Sequence, residues 1–196
     1  MVSLIFRYYR NNMDLKNKLV ILDRDGVINL DSDDYIKSPE EWIAIQSSLR
    51  AIAKLNRAGL KVAVATNQSG ISRGFFDNST LAMMHKKMEM ELAKVGAHID
   101  ALEFCPDHPN NPGPNRKPST GMVDKLLRLF DVKASETWFV GDSLSDIKCA
   151  ENSGCRPALV LTGKGQRTLA SGIVDSKLPV FDDLLSFTEN LINNKT

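Results

Sequence analysis

Apolar residues fall into two patterns along this chain. Short apolar-rich segments occur at 18–23, 61–65, 99–104, 136–140, 158–161 and 178–181. Runs of this length bounded by turn residues predict buried strands. Between them, apolar residues return every three or four positions, the spacing of a helix face. Ser47 is placed to cap a helix carrying Leu49, Ile52, Ala53 and Leu55 that stops at Gly59. Residues 78–95 predict a second helix, with Leu81, Met84, Met88, Leu92 and Val95 on one face. That methionine stripe reads as core packing rather than a binding surface. Helices are also predicted over Gly121–Phe130, over Asp146–Ser153 before Gly154, and over Asp183–Ile192. Residues 26–46 and 106–116 are polar, rich in Pro, Asn, Asp and Gly, and read as loops. Repeated strand–helix alternation predicts an α/β fold: a Rossmann-like, doubly wound, mostly parallel sheet with helices on both faces.

Composition narrows the class. With 196 residues, 42% hydrophobic and 25% charged, the chain can bury one sizeable core. A net charge of +1 gives no electrostatic bias toward nucleic acid or a membrane surface. Three cysteines, Cys105, Cys149 and Cys155, form no disulfide framework and suit a reducing, cytoplasmic setting. No apolar run is long enough to span a bilayer. Residues 1–17 read as an appendage, too short and wrongly ordered in its apolar patch for a signal peptide, and 18–196 as a single domain. Met13 is an alternative start.

Four motifs carry the chemistry. The first strand runs into Asp23-Arg24-Asp25-Gly26. Two carboxylates at a strand tip repel each other and lose hydration, which a bound cation would relieve. Alone, Asp-Gly is also an ordinary turn. The second strand ends in Thr66-Asn67-Gln68-Ser69-Gly70, whose hydroxyls, amides and backbone N–H groups suit an anion as well as a capping turn. Arg116-Lys117 leaves the Pro/Asn loop and could hold a phosphate or simply be solvated. Gly141-Asp142 ends a further strand, with Asp146 one helical turn later; these acids also suit an N-cap and a helix surface. In a parallel sheet all four tips reach one edge, gathering Asp23, Asp25 and Asp142 as hard oxygen ligands opposite Lys117 and Thr66. A few oxygen ligands beside a phosphate suit Mg²⁺.

In that order the motifs Asp23-Arg24-Asp25-Gly26-Val27, Thr66-Asn67, Lys117 and Gly141-Asp142 resemble those of the haloacid dehalogenase-like phosphatase superfamily over about residues 18–165. Asp-Arg-Asp-Gly-x-Ile-Asn, Thr-Asn-Gln-Ser-Gly-Ile-x-Arg-Gly and Arg-Lys-Pro-x-x-Gly-Met are similar to its D-glycero-D-manno-heptose 1,7-bisphosphate 7-phosphatase family. Ser69, Arg73 and Gly74 favour that family over its histidinol-phosphate phosphatase relatives. One departure stands out. The family often carries a zinc loop, but here Asp107 replaces its first His, and the second Cys pair before Arg116 is absent. Cys105, Asp107 and His108 do not complete a tetrahedral set, so no structural zinc is expected.

The resemblance implies Asp23 as nucleophile and Asp25 as acid and base, its pKa raised by crowding against Asp23. Mg²⁺ would bind Asp23, the Asp25 carbonyl and Asp142. Thr66 and Lys117 would stabilise the transferring phosphoryl group, and Asp146 would orient Lys117 or the metal's surroundings. Asn67, Gln68, Ser69, Arg73 and Arg116 would contact substrate. Asp31 to Tyr35 would line its entrance. Residues 24–65 and 67–116 are filled by loop, helix and strand, leaving no separate cap domain, only a flap at 29–39. The expected partner is a small phosphorylated sugar, with no nucleic acid or membrane, and the expected state is a monomer. Other readings are a histidinol-phosphate or other small-molecule phosphatase, a polynucleotide 3′-phosphatase, a phosphate-accepting receiver domain, and an inactive binding module on the same fold. No basic stripe with interleaved aromatics supports nucleic acid. Asp25 with Thr66-Asn67 suits a hydrolase better than a receiver, and the complete residue set argues against an inactive module.

Overall fold

Each apolar run forms a strand, with ends shifted by a few residues. The strands are β1 (Leu19–Leu22), β2 (Lys61–Asn67), β3 (Ala101–Cys105), β4 (Trp138–Gly141), β5 (Arg156–Val160) and β6 (Val180–Phe181). The structure is a computed structural model that describes residues 18–193. The expected appendage, residues 1–17, lies outside the described residues.

The strands form one sheet in the order β3-β2-β1-β4-β5-β6, every neighbouring pair parallel. The chain walks outward from β1 through β2 to β3. It then returns to the other side of β1 for β4, β5 and β6. The reversal lies between β1 and β4, where Val20, Ile21 and Leu22 pair with Trp138, Phe139 and Val140. Loops leaving two strands on either side of such a reversal diverge, and a crevice opens at the carboxyl edge.

A parallel sheet in this arrangement is covered on both faces, so its strands are apolar throughout. Alternation divides their side chains between two cores. Val20, Leu22, Val62 and Val64 face one side; Leu19, Ile21, Ala63 and Ala65 face the other. The first core is closed by α1 (Gln46–Arg57), α2 (Asn78–Lys94) and α6 (Leu184–Asn193), through Leu49, Met84, Met88 and Phe187. The second is closed by α3 (Gly121–Phe130) and α4 (Leu144–Ser153), through Met122, Leu126 and Cys149. The methionine stripe of α2 is therefore core. All three cysteines are buried free thiols. No helix among the described residues is long and apolar enough to cross a membrane.

One local expectation is corrected, and one helix is added. Helix α1 starts at Gln46 behind Ile45, which has no capping side chain, so Ser47 lies inside the helix. Its neighbour Ser48 instead donates its hydroxyl to the Val27 carbonyl at 2.6 Å, tying α1 to the loop after β1. A helix not anticipated, α5 (Gly165–Ala170), follows β5. It is too short to show a helical period in sequence.

Candidate active site

The crevice beside β1 and β4 is a cleft of about 300 Å³ lined by Asp23, Asp25, Asn67, Lys117, Asp142 and Lys164, among others. Asp23 follows β1 directly, and its N–H donates to the Val140 carbonyl of β4 at 3.0 Å. Asp142 follows β4 in the same way. Lys117 enters from the loop after β3, and its ammonium reaches under the tips. Nζ lies 2.9 Å from Asp23 Oδ1 and 2.6 Å from Asp146 Oδ1, and donates to the Ala65 carbonyl at 2.8 Å.

This buried cation faces more negative charge than it can balance. Burial lifts Asp23 to about 7 against the pull of Lys117, with Asp146 and Asp25 adding repulsion. Burial, Asp146 and Asp23 together push Asp142 up to about 8. Burial works against the charge of Lys117, but Asp146 and Asp23 outweigh it and raise its pKa. Carboxylate oxygens of Asp23, Asp142 and Asp146 all lie within 4.8 Å of one another. Asp146 is already engaged. Its Oδ2 accepts from the Ser143 N–H at 3.0 Å and the Ser143 hydroxyl at 2.6 Å, and its Oδ1 meets Lys117. Asp23 and Asp142 are then the carboxylates suited to a further cation, and hard oxygen donors with excess charge fit a small divalent ion. The loop after β1 passes against Asp142 only because Gly26 has no side chain. Its φ is +83°, and a Cβ there would run into the Asp142 carboxylate.

Asp25 departs from expectation. Crowding by Asp23 predicted a raised pKa, yet its pKa is held below the usual value. Burial does work to raise it, but the Arg24 charge and hydrogen bonds from Asn29, Gln68 and Arg24 overcome that effect. Arg24, between the two acids in sequence, is fully buried and turns its guanidinium onto Asp25.

The other predicted residues divide. Ser69, Arg116, Asp31 and Tyr35 line the cleft. Asn67 also lines it, but its side chain is spent on Lys117: it accepts from the Lys117 N–H at 3.0 Å and donates to the Lys117 carbonyl at 3.1 Å. Gln68 likewise turns inward, donating to Asp25 at 2.9 Å and Thr66 Oγ1 at 2.9 Å and accepting from Arg24 at 3.2 Å. Thr66 is buried with its hydroxyl on Gln68 and does not line the cleft. Arg73 is exposed and stands outside the cleft lining, with its guanidinium over the Tyr35 ring at 5.6 Å. Amides and hydroxyls at a strand tip can face inward or outward, and sequence alone does not separate the two.

In the loop where the family often carries zinc, polar partners are already internal. Asp107 Oδ2 accepts from the Gly113 N–H at 3.0 Å, and His108 Nδ1 from the Asn110 N–H at 3.1 Å. Arg116 donates to the Asp107 carbonyl at 2.9 Å, which aims it at the cleft.

Lys164 was not anticipated. Its N–H donates to Asp142 Oδ2 at 2.7 Å, and its ammonium lies 2.8 Å from Asp31 on the flap. Gly163-Lys164-Gly165, a few residues past a strand, was the available signal. Beyond it, Arg167 forks onto Asp33 at 3.0 and 2.9 Å. Tyr35 meets the Phe75 ring edge-on at 5.1 Å on the opposite rim. The flap is thus tied through Asp31 and Asp33 to Lys164 and Arg167, and through Tyr35 to Phe75.

Residues 114–187 match the HAD-hydrolase-like family model. Over 178 residues the chain is 47% identical to a D-glycero-beta-D-manno-heptose-1,7-bisphosphate 7-phosphatase of Pseudomonas aeruginosa, covering 91% of this chain and 99% of the relative. The enzyme of that name from Neisseria meningitidis serogroup B is 46% identical over 183 residues, covering 91% and 97%. Among solved structures, the D,D-heptose 1,7-bisphosphate phosphatase of B. bronchiseptica, complexed with magnesium and phosphate, matches with a TM-score of 0.87. It is 47% identical and covers 90% of this chain and 98% of that one.

Proposed function

The chain belongs to the D-glycero-D-manno-heptose 1,7-bisphosphate 7-phosphatase family of haloacid dehalogenase-like hydrolases, and from that premise we propose that it removes the 7-phosphate of this heptose bisphosphate through an aspartyl phosphate on Asp23. It is a phosphatase, and the receiver and inactive-module readings fall with its family. The observation that carries the mechanism is the orientation of Asp23. Its Oδ1 is held by Lys117 Nζ at 2.9 Å and by the Arg24 N–H at 2.7 Å. Oδ2 is then the atom that attacks.

In the first step Asp23 Oδ2 forms a bond to phosphorus while the bond to the sugar O7 breaks. Asp25 gives its proton to that oxygen. In the second step water attacks the phosphoryl group on Asp23, Asp25 takes the water's proton, and inorganic phosphate leaves. The donors around Asp25 favour its anion, which suits the base half of this cycle. For the acid half Asp25 must take up a proton as the phosphate dianion enters, a step that like-charge repulsion favours. Lys117 balances charge on the transferring oxygens. Asp23, Asp142 and the Asp25 carbonyl would hold Mg²⁺, which when bound screens the approach of one anion to another. The internal partners of Asp107 and His108 support a zinc-free loop, which metal analysis of the purified protein checks.

Substrate choice rests on the walls of the cleft. Arg116, Ser69, Asp31 and Tyr35 offer charge and hydrogen bonds to a polyol chain, and Arg73 borders the rim. The test is kcat/KM across heptose 1,7-bisphosphate anomers, fructose 1,6-bisphosphate and histidinol phosphate. A heptose bisphosphate is expected to be best. Faster cleavage of histidinol phosphate than of every sugar bisphosphate overturns the substrate and leaves the phosphatase standing.

A further inference from the structure

Asp25 is held more completely than an acid at a cleft wall needs to be. Its Oδ1 accepts from Arg24 Nε at 3.0 Å, Arg24 Nη2 at 2.8 Å and Asn29 Nδ2 at 2.9 Å. Its Oδ2 accepts from Arg24 Nη2 at 2.9 Å and Gln68 Nε2 at 2.9 Å. A planar guanidinium on one edge and a fixed amide on the other leave the carboxylate no freedom to rotate about its Cβ–Cγ bond.

The holders are themselves held. Arg24 is fully buried, and its Nη1 lies 3.4 Å from His85 Nε2. Burial and the Arg24 charge depress His85 to about 4, so its ring is neutral near pH 7 and its nitrogen can accept from Arg24. Gln68 is 4% exposed and bonds both Arg24 and Thr66. Burying a guanidinium is costly unless every donor is met. Here three of its five side-chain polar contacts end on one carboxylate, which lines the cleft with its side chain 21% exposed.

We propose that Arg24 and Gln68 are positioning residues that fix the plane of the Asp25 carboxylate so that it meets the departing sugar oxygen. Arg24 is fully buried, and Gln68 borders the cleft but spends its amide on Asp25, Thr66 and Arg24, so both act through Asp25. This rests on the reading of Asp25 as the proton donor. It also moves Gln68 from the substrate's contacts to the machinery behind them. A misplaced proton donor slows only reactions that need a proton on the leaving group.

The experiment uses that selectivity, with Mg²⁺ saturating. The parameter is kcat/KM, which reports steps up to phosphoryl transfer. Two substrates are compared: heptose 1,7-bisphosphate, whose alkoxide needs a proton, and 2,4-dinitrophenyl phosphate, whose phenolate does not. Gln68→Met keeps side-chain bulk and removes both hydrogen-bonding groups. It should lose about tenfold to hundredfold on the sugar, the scale of a small misplacement of a reacting group, and little on the aryl ester. Arg24→Lys keeps the charge without the fork and should show the same selective loss. Should Arg24→Lys fail to fold, Gln68→Met still decides. Equal loss on both substrates, or no loss on either, overturns the proposal. Asp25→Ala separates it from the reading beneath. If Asp25→Ala is selective and Gln68→Met is not, only the positioning role falls. If Asp25→Ala loses both substrates equally, the proton-donor reading falls as well.

Discussion

Asn67 grips the backbone of Lys117 from both sides, accepting from its N–H at 3.0 Å and donating to its carbonyl at 3.1 Å. A residue at the tip of β2 thereby fixes where the loop after β3 delivers its cation. Asn67→Ala removes both bonds at once. Stability should fall by about 1–3 kcal/mol, the cost of leaving buried backbone groups unpaired. Because the Lys117 ammonium loses its bearing on Asp23, kcat should fall more than KM rises. Denaturant unfolding and steady-state kinetics on one preparation check both.

Gly26 lies against the Asp142 carboxylate at a φ of +83°. Gly26→Ala should displace Asp142 and add about 1–2 kcal/mol of left-handed strain. The expected signature is a raised Mg²⁺ concentration for half-maximal activity, with kcat/KM reduced at least about tenfold. A magnesium titration of activity reads it directly.

Lys164 joins Asp31 on the flap to the loop that contacts Asp142. Lys164→Ala should loosen the flap without unfolding the domain. A partly exposed ion pair is worth up to about 1 kcal/mol, so KM should rise no more than about fivefold. Limited proteolysis within residues 29–39 should quicken, and high salt should reproduce part of the effect in the unaltered protein.

Asp77 caps α2, accepting from the Thr80 N–H at 2.8 Å, and this bond with others lowers its pKa from 3.8 to about 2. A depressed carboxylate pKa stabilises the fold above the unfolded value and stops doing so as pH falls through the folded one. Asp77→Ala should therefore lower Tm at neutral pH. The gap to the unaltered protein should shrink between pH 3.8 and about 2. Thermal melts across that range measure it.

What the sequence disclosed follows from range. Asp23 and Asp142 could be placed because each ends an unbroken apolar run, and a parallel sheet fixes where such runs end. Their meeting across β1 and β4 is a consequence of strand order. The orientation of neighbouring side chains is not encoded that way. Arg24 follows Asp23 in sequence, and nothing in the pattern says its guanidinium turns back onto Asp25; the turn through Gly26 to Asn29 does that. Asn67 and Gln68 offer identical chemistry whether they face a substrate or a neighbour. Helix α5 and Lys164 sit beyond a strand in a segment too short for periodicity, though Gly163-Lys164-Gly165 marks the spot.

In the proposed mechanism Asp23 takes up the 7-phosphate and no other group. Phosphorus NMR of heptose 1,7-bisphosphate incubated with protein and Mg²⁺ tests it most directly. The unaltered protein should convert the 7-phosphate signal to inorganic phosphate and leave the 1-phosphate intact, while folded Asp23→Asn leaves both signals unchanged. Loss of the 1-phosphate, or undiminished phosphate release by Asp23→Asn, would contradict the account.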